Sequence, residues 1–369
     1  MRLPEYTSFA EKNGFFETNP KGVGVSSVIN TEAEVDTMLE HITNFQNEIA
    51  QKREEIKDRF RHSLYFRSDT EAQHQNRFVT LGLENGLFFR GVSQAKYKIF
   101  SSAQRYWLEN DLKTKGVSFV DFVENLLTHV KRNQMLRDYY YALRVHANDL
   151  LYMSLLQHYG QCSPLIDISY DVKTALFFAM NYIKEEEHKS ELDDYCSLYV
   201  FNTYANQYWA NLDVILQNGQ ENAIKDLEDT SYPIEMIDTS NIDRADLYVS
   251  WVNHNNNGRG LHDWKLALVK LPTANGAIIP QTRIGQHICW TNLNLLAQQG
   301  GFFLYTIDDI PLEEYILNTK ELPNIICYNI NKQLKDYVLR NIPLGEADIY
   351  PKMKDIIDKE IATYKTFLP

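Results

Sequence analysis

Apolar residues recur along this chain in two rhythms. Between Glu32 and about Arg61 they fall at Val35, Met38, Leu39, Ile42, Phe45 and Ile49 with charges between them, the spacing of a helix with one wet face. Thr31, with Glu34 three residues on, forms a capping box at its start. The same rhythm runs over 118–145 through Phe119, Phe122, Val123, Leu126, Leu127 and Val130, and shorter helical stretches are predicted at 105–110 and 150–158. It returns in Val172, Ala175, Leu176, Ala179 and Ile183, and two closing helices are predicted over 331–341 and 350–364. The second rhythm is a set of short apolar runs that read as strands: Leu87-Phe88-Phe89, 165–168, 197–201, 266–271, 277–279, 302–306 and 325–328. Residues 1–30 keep no sustained period and read as an arm or a loose end. Ser68 to Gln75 is a polar break, 204–230 reads as polar helix, and 240–260 is an Asn-, Asp- and Gly-rich loop containing Asn255 to Asn257.

Strands mixed with helices without a regular βαβ alternation predict an α+β fold, a twisted mixed sheet with a helical N-terminal segment, helical insertions and a central cleft. The expected division is an arm and helix over 1–75, the principal domain over 76–350 and a C-terminal helix over 351–369. No internal repeat, Walker loop or Rossmann glycine fingerprint interrupts that reading.

Composition narrows the partners. Among 369 residues, 49 Asp and Glu against 37 Lys and Arg leave a net charge of −12, which argues against broad electrostatic capture of nucleic acid. No run approaches the ~18 apolar residues of a membrane span, and the N-terminus has no apolar signal region. Cys162, Cys196, Cys289 and Cys327 lie far apart without Cys-x-x-Cys spacing, so no metal site is expected, and three of them sit beside apolar neighbours and read as small hydrophobes in a reducing cytoplasm.

The candidate chemistry gathers around Gln157-His158-Tyr159-Gly160 and the strand Leu165-Ile166-Asp167-Ile168-Ser169. Asp167 is a carboxylate in an apolar strand and needs a partner. Arg90 ends another apolar strand, where its planar fork suits phosphate, and Gly91 after it leaves room for a ligand to approach the backbone. The alternative for Arg90 is an internal ion pair with Asp167. His158 reads either as a general base or orienting donor, or as a packed helix-end side chain. Ser169 is placed as the N-cap of the following helix.

These segments resemble the FRG domain. Phe89-Arg90-Gly91 matches its name-giving signature, 157–170 its second signature with Ile168-Ser169 in place of the aromatic-Thr step, and Arg283-Ile284 with Ala297-Gln298-Gln299-Gly300-Gly301-Phe302-Phe303 its third. More weakly, the chain is similar to ADP-ribosyltransferases of the Arg-Ser-Glu class. That resemblance implies that NAD is the substrate, that Arg90 holds its phosphates or ribose, and that Ser169 supports the nicotinamide ribose. The transition-state role falls to Gln298 and Gln299, where glutamine replaces the class's glutamate and supplies no charge. Arg283, Gln286 and Trp290 are expected along the same cleft, Trp290 as a stacking face. The expected function is an ADP-ribosyltransferase or NAD glycohydrolase, a toxin or anti-phage effector. The alternative is a non-catalytic sensor of a nucleotide or small molecule.

Overall fold

The computed structural model describes residues 3–17, 24–64, 86–143, 148–182, 190–203, 265–269, 273–274, 277–278, 283–319, 324–352, 354–355, 357–358 and 361. The expectations at 68–75, 204–230 and 240–260 lie outside them. In chain order the helices are α1 (Phe9–Glu17), α2 (Glu32–Leu64), α3 (Ser102–Glu109), α4 (Phe119–Lys131), α5 (Gln134–Ala142), α6 (Asp149–His158), α7 (Val172–Asn181), α8 (Arg283–Thr291), α9 (Leu293–Ala297), α10 (Leu312–Asn318), α11 (Lys335–Asn341) and α12 (Glu346–Ile349). The strands are β1 (Gly24–Ile29), β2 (Leu87–Val92), β3 (Leu165–Ser169), β4 (Tyr195–Asn202), β5 (Leu266–Val269), β6 (Thr273–Ala274), β7 (Ala277–Ile278), β8 (Gly300–Tyr305) and β9 (Asn324–Asn331).

Seven strands form one mixed sheet in the order β1-β9-β4-β2-β3-β8-β5, and β6 and β7 pair separately. β1 runs parallel to β9, and the other neighbours are antiparallel. The mixed α+β sheet therefore stands as expected, but residues 1–30 are not a loose end. They carry α1 and an edge strand whose pairing with β9 supplies what its own short sequence lacks.

Alternation along the strands divides the core between two faces. On one, Phe88, Ile166, Ile168, Phe303 and Tyr305 meet Phe16 of α1 and Leu312, Ile316 and Leu317 of α10. On the other, two clusters lie side by side. Leu87, Phe89, Leu198 and Val200 are covered by α2 and α7, while Leu165, Phe302 and Leu304 are covered by the helical layer of α3 to α6 with α8 and α9.

Local chemistry sets the helix ends. The Thr31–Glu34 capping box forms, with Glu34 N donating to Thr31 Oγ1 at 3.3 Å and Thr31 N to Glu34 Oε2 at 3.0 Å. The helix expected over 118–145 is two, because Asn133 accepts from Leu136 N and starts a new one. Ser169 is not an N-cap. Asp171 caps α7, accepting from Lys173 N and Thr174 N. The closing segment is helical at 354–355, 357–358 and 361. Helices α8, α9 and α10 were not anticipated, and α9 and α10, of five and seven residues, are too short to set a clear apolar stripe.

Cys196, Cys289 and Cys327 are buried, Cys162 is half-buried, and all four are free thiols. No helix among the described residues is long and apolar enough to cross a membrane.

Candidate functional site

The Gln157-His158-Tyr159-Gly160 step is the end of α6. Gly160 adopts φ +67°, Gly160 N donates to Gln157 O, and Gln161 N donates to Leu156 O. This is a Schellman closure, which needs a left-handed residue where glycine carries no steric cost. The closure holds His158 in the last turn and sends the chain back through Pro164 into β3. There Ile166 and Ile168 enter the α10 face, and Asp167 and Ser169 look to the opposite one, near the seam of its two clusters.

At this seam the sheet opens. β2 pairs with β4 along Leu87–Val92, yet meets β3 only at Phe89 with Ser169. Beyond that position Arg90 bridges the gap, donating from Nη1 to the backbone carbonyl of Asp167 at 2.5 Å. The Asp167 carboxylate is instead the acceptor of Gln157 Nε2 at 2.7 Å. Hydrogen bonding thus joins Arg90 to the backbone of residue 167, not to its carboxylate as in the ion-pair alternative. Arg90 Nε is buried without a hydrogen-bond partner.

The resulting cleft holds about 430 Å³, within the usual range of small-ligand sites. Its lining includes Arg90, Gly91, His158, Asp167, Ser169 and Gln298 from the sequence reading. It also includes Arg105 of α3 and the aromatic rings of Phe178 and Tyr350, none of which the pattern singled out. Phe178 and Tyr350 meet edge to face at 6.2 Å. Arg105 looks like any solvated helix arginine, and Tyr350 belongs to a distant C-terminal segment, so only the fold brings them here.

Electrostatics in the cleft are mixed. Asp167 lies deep among protein atoms while still open to the solvent of the cleft, and that depth raises its carboxyl above the ordinary range, with Arg90 and the Gln157 bond acting the other way. Burial likewise works against the Arg90 charge, and the nearby Arg105 adds to that while Asp167 favours it. His158 is lowered by burial, a shift opposed by its hydrogen bond with Asn292, so the ring is neutral at neutral pH and can accept a proton. Asp167 is the single carboxyl group in the lining among the described residues.

Several expected roles change. A side chain at Gly91 would lie 1.8 Å from the Ala175 carbonyl oxygen and 2.7 Å from Ala179 N, so the missing side chain admits α7 rather than a ligand. Ser169 Oγ donates to Gln298 O at 2.7 Å and accepts from Asp171 N at 3.0 Å, tying β3 to α9 and α7. Gln298 Nε2 donates to Ile349 O and holds the C-terminal segment beside the cleft. Gln299 does not line the cleft. It takes the left-handed position after α9, with φ +45°, and its carbonyl accepts from Tyr170 N. Gln286 is half-buried on α8 away from the lining, and the side chains of Arg283 and Trp290 lie outside the described residues.

Residues 85–188 match the family model of the FRG domain. No curated protein and no solved structure matches the chain.

Proposed function

With residues 85–188 forming an FRG domain, we propose that the cleft of this domain binds a nucleotide through its phosphates, with NAD as substrate, and cleaves the bond between nicotinamide and ribose. The observation that carries the reading is the Arg90 side chain, half-buried at the opening between β2 and β3, with its Nε buried and unpartnered. A buried donor of that kind favours an acceptor oxygen, and a planar fork suits phosphate. Phe178 and Tyr350 add aromatic surface to the lining, suited to packing against a planar base.

In this reading Asp167 takes the charged role that the glutamines cannot fill. As the C1′–N bond breaks, nicotinamide leaves with the electron pair, and the positive charge left on the ribose faces the Asp167 carboxylate. Water or an acceptor hydroxyl then bonds to C1′ and gives up its proton to the neutral His158 ring. Loss of NAD by this route would fit a toxin or anti-phage effector. The sensor reading keeps the same binding without the cleavage, and it is favoured by the structural hydrogen bonds that occupy Ser169 and Gln298.

Melting with and without millimolar NAD, alongside an assay for free nicotinamide, tests both. NAD should raise the melting temperature by mass action, and Arg90→Gln should remove that shift. Asp167→Asn should keep the shift and lose nicotinamide release by a hundredfold or more, on the order of one lost electrostatic stabiliser. A shift without release in the wild type selects the sensor, and the absence of both overturns the nucleotide reading.

A further inference from the structure

Arg105 is a charged group of the cleft that the FRG signatures leave unaccounted for. Helix α3 is held rigidly at its start. Ser101 and Gln104 form a reciprocal capping box, and Gln104 Nε2 donates to Ile307 O at 2.7 Å. Ser102 Oγ donates to Gln161 O and Ser163 O, while Ser163 N donates back to it, stapling α3 to the loop that enters β3. Arg105 stands three residues after Ser102, on the same side of the helix. The helix backbone therefore places Arg105 over the loop leading to Asp167, with its side chain in the lining of the cleft.

Its guanidinium has no hydrogen-bond or ion-pair partner among the described residues, although it lines the cleft. It is close enough to Arg90 for their charges to oppose each other, and both act on Asp167. Two guanidinium groups facing one cleft that holds a single carboxyl leave positive charge uncompensated. Two forks also offer more donors than one phosphate held by Arg90 would use.

Resting on the nucleotide reading above, we infer that Arg105 is a second anion contact of this cleft, and that the cleft selects a ligand carrying two adjacent phosphate groups over a monophosphate or an uncharged nucleoside. Arg90 holds the inner phosphate and Arg105 the outer one. Arg105 is a positioning and specificity residue, and bond cleavage is not assigned to it.

The test is calorimetric titration of the full chain with inorganic pyrophosphate, ADP-ribose, ADP, AMP and adenosine, using wild type, Arg105→Gln and Arg105→Lys. Because residue 105 is exposed, both variants should melt with the wild type in the absence of ligand. Wild type should prefer ADP to AMP, and Arg105→Gln should lose roughly tenfold to a hundredfold affinity for pyrophosphate, ADP and ADP-ribose, as expected for one charge-assisted contact. The ADP-over-AMP preference should collapse in Arg105→Gln and return in part in Arg105→Lys, which a purely structural role would not produce. Unchanged affinities in Arg105→Gln, or a wild type that binds neither pyrophosphate nor ADP-ribose, would overturn the inference. Binding of pyrophosphate that depends on Arg105, without NAD binding, would uphold it while removing NAD as the ligand.

Discussion

At residue 91 a methyl group would collide with the carbonyl oxygen of Ala175 and the nitrogen of Ala179, both backbone atoms of a packed helix. Neither can swing aside as a side-chain tip would, so α7 would have to retreat from β2. Gly91→Ala should therefore destabilise the protein by roughly 3 kcal/mol, the upper range for overpacking a core. Urea denaturation checks this, and a midpoint matching the wild type would mean that the helix moves freely. Residues at this scale were unevenly legible. Arg90 and Asp167 stood out because a charge in apolar text demands a partner, and both border the cleft. The reason for Gly91 was hidden, since the helix that fills its space is remote in sequence. Gln299 was hidden too, because a left-handed φ leaves no mark in a glutamine.

Among elements, α1 is the least expected from its sequence. Phe9–Glu17 has no apolar stripe and contains Asn13-Gly14, yet Lys12 is fully buried, donating from Nζ to Ala95 O at 2.7 Å and Ser197 Oγ at 2.8 Å. Glu313 of α10 is also fully buried. Its carboxylate accepts from Tyr6 OH at 3.1 Å and from Ile99 N. Burial pushes the Glu313 carboxyl from 4.5 up to about 7. The folded state thus holds the proton more tightly than the unfolded chain does. The stabilisation is fully present below about pH 4.5 and is lost as pH rises through about 7. Glu313→Gln removes this titration. Between pH 4.5 and 7.5 the wild type should lose stability relative to the variant by a few kcal/mol, at about 1.4 kcal/mol per pKa unit. Chemical denaturation of both at the two pH values measures it, and parallel stability curves would contradict the role of Glu313. The long helix α2 was legible because a stripe and a capping box lie within its own sequence, whereas α1 is helical by virtue of what Lys12 reaches.

The whole molecule assembles its cleft from segments far apart in the chain. The FRG match at 85–188 contains β2 and β3, but their full-length partners β4 and β8 lie outside it, and within it the two strands share only the Phe89–Ser169 position. A two-stranded unit with so little pairing is marginal in water. The fragment 85–188 alone should therefore unfold without a cooperative transition, as circular dichroism through a urea titration would reveal. A sharp transition would mean that the matched stretch is self-sufficient. By itself the sequence determined which segments are strand or helix wherever a period or a cap is local. It also marked Arg90 and Asp167 as charged residues in apolar strands. Only the tertiary structure decided that β1 joins the sheet, that β2 and β3 part beyond Phe89, and that Arg105 and Tyr350 close the cleft. The physical reason is that strand register and side-chain convergence depend on partners distant along the chain, whose contacts leave no periodic signal in either segment.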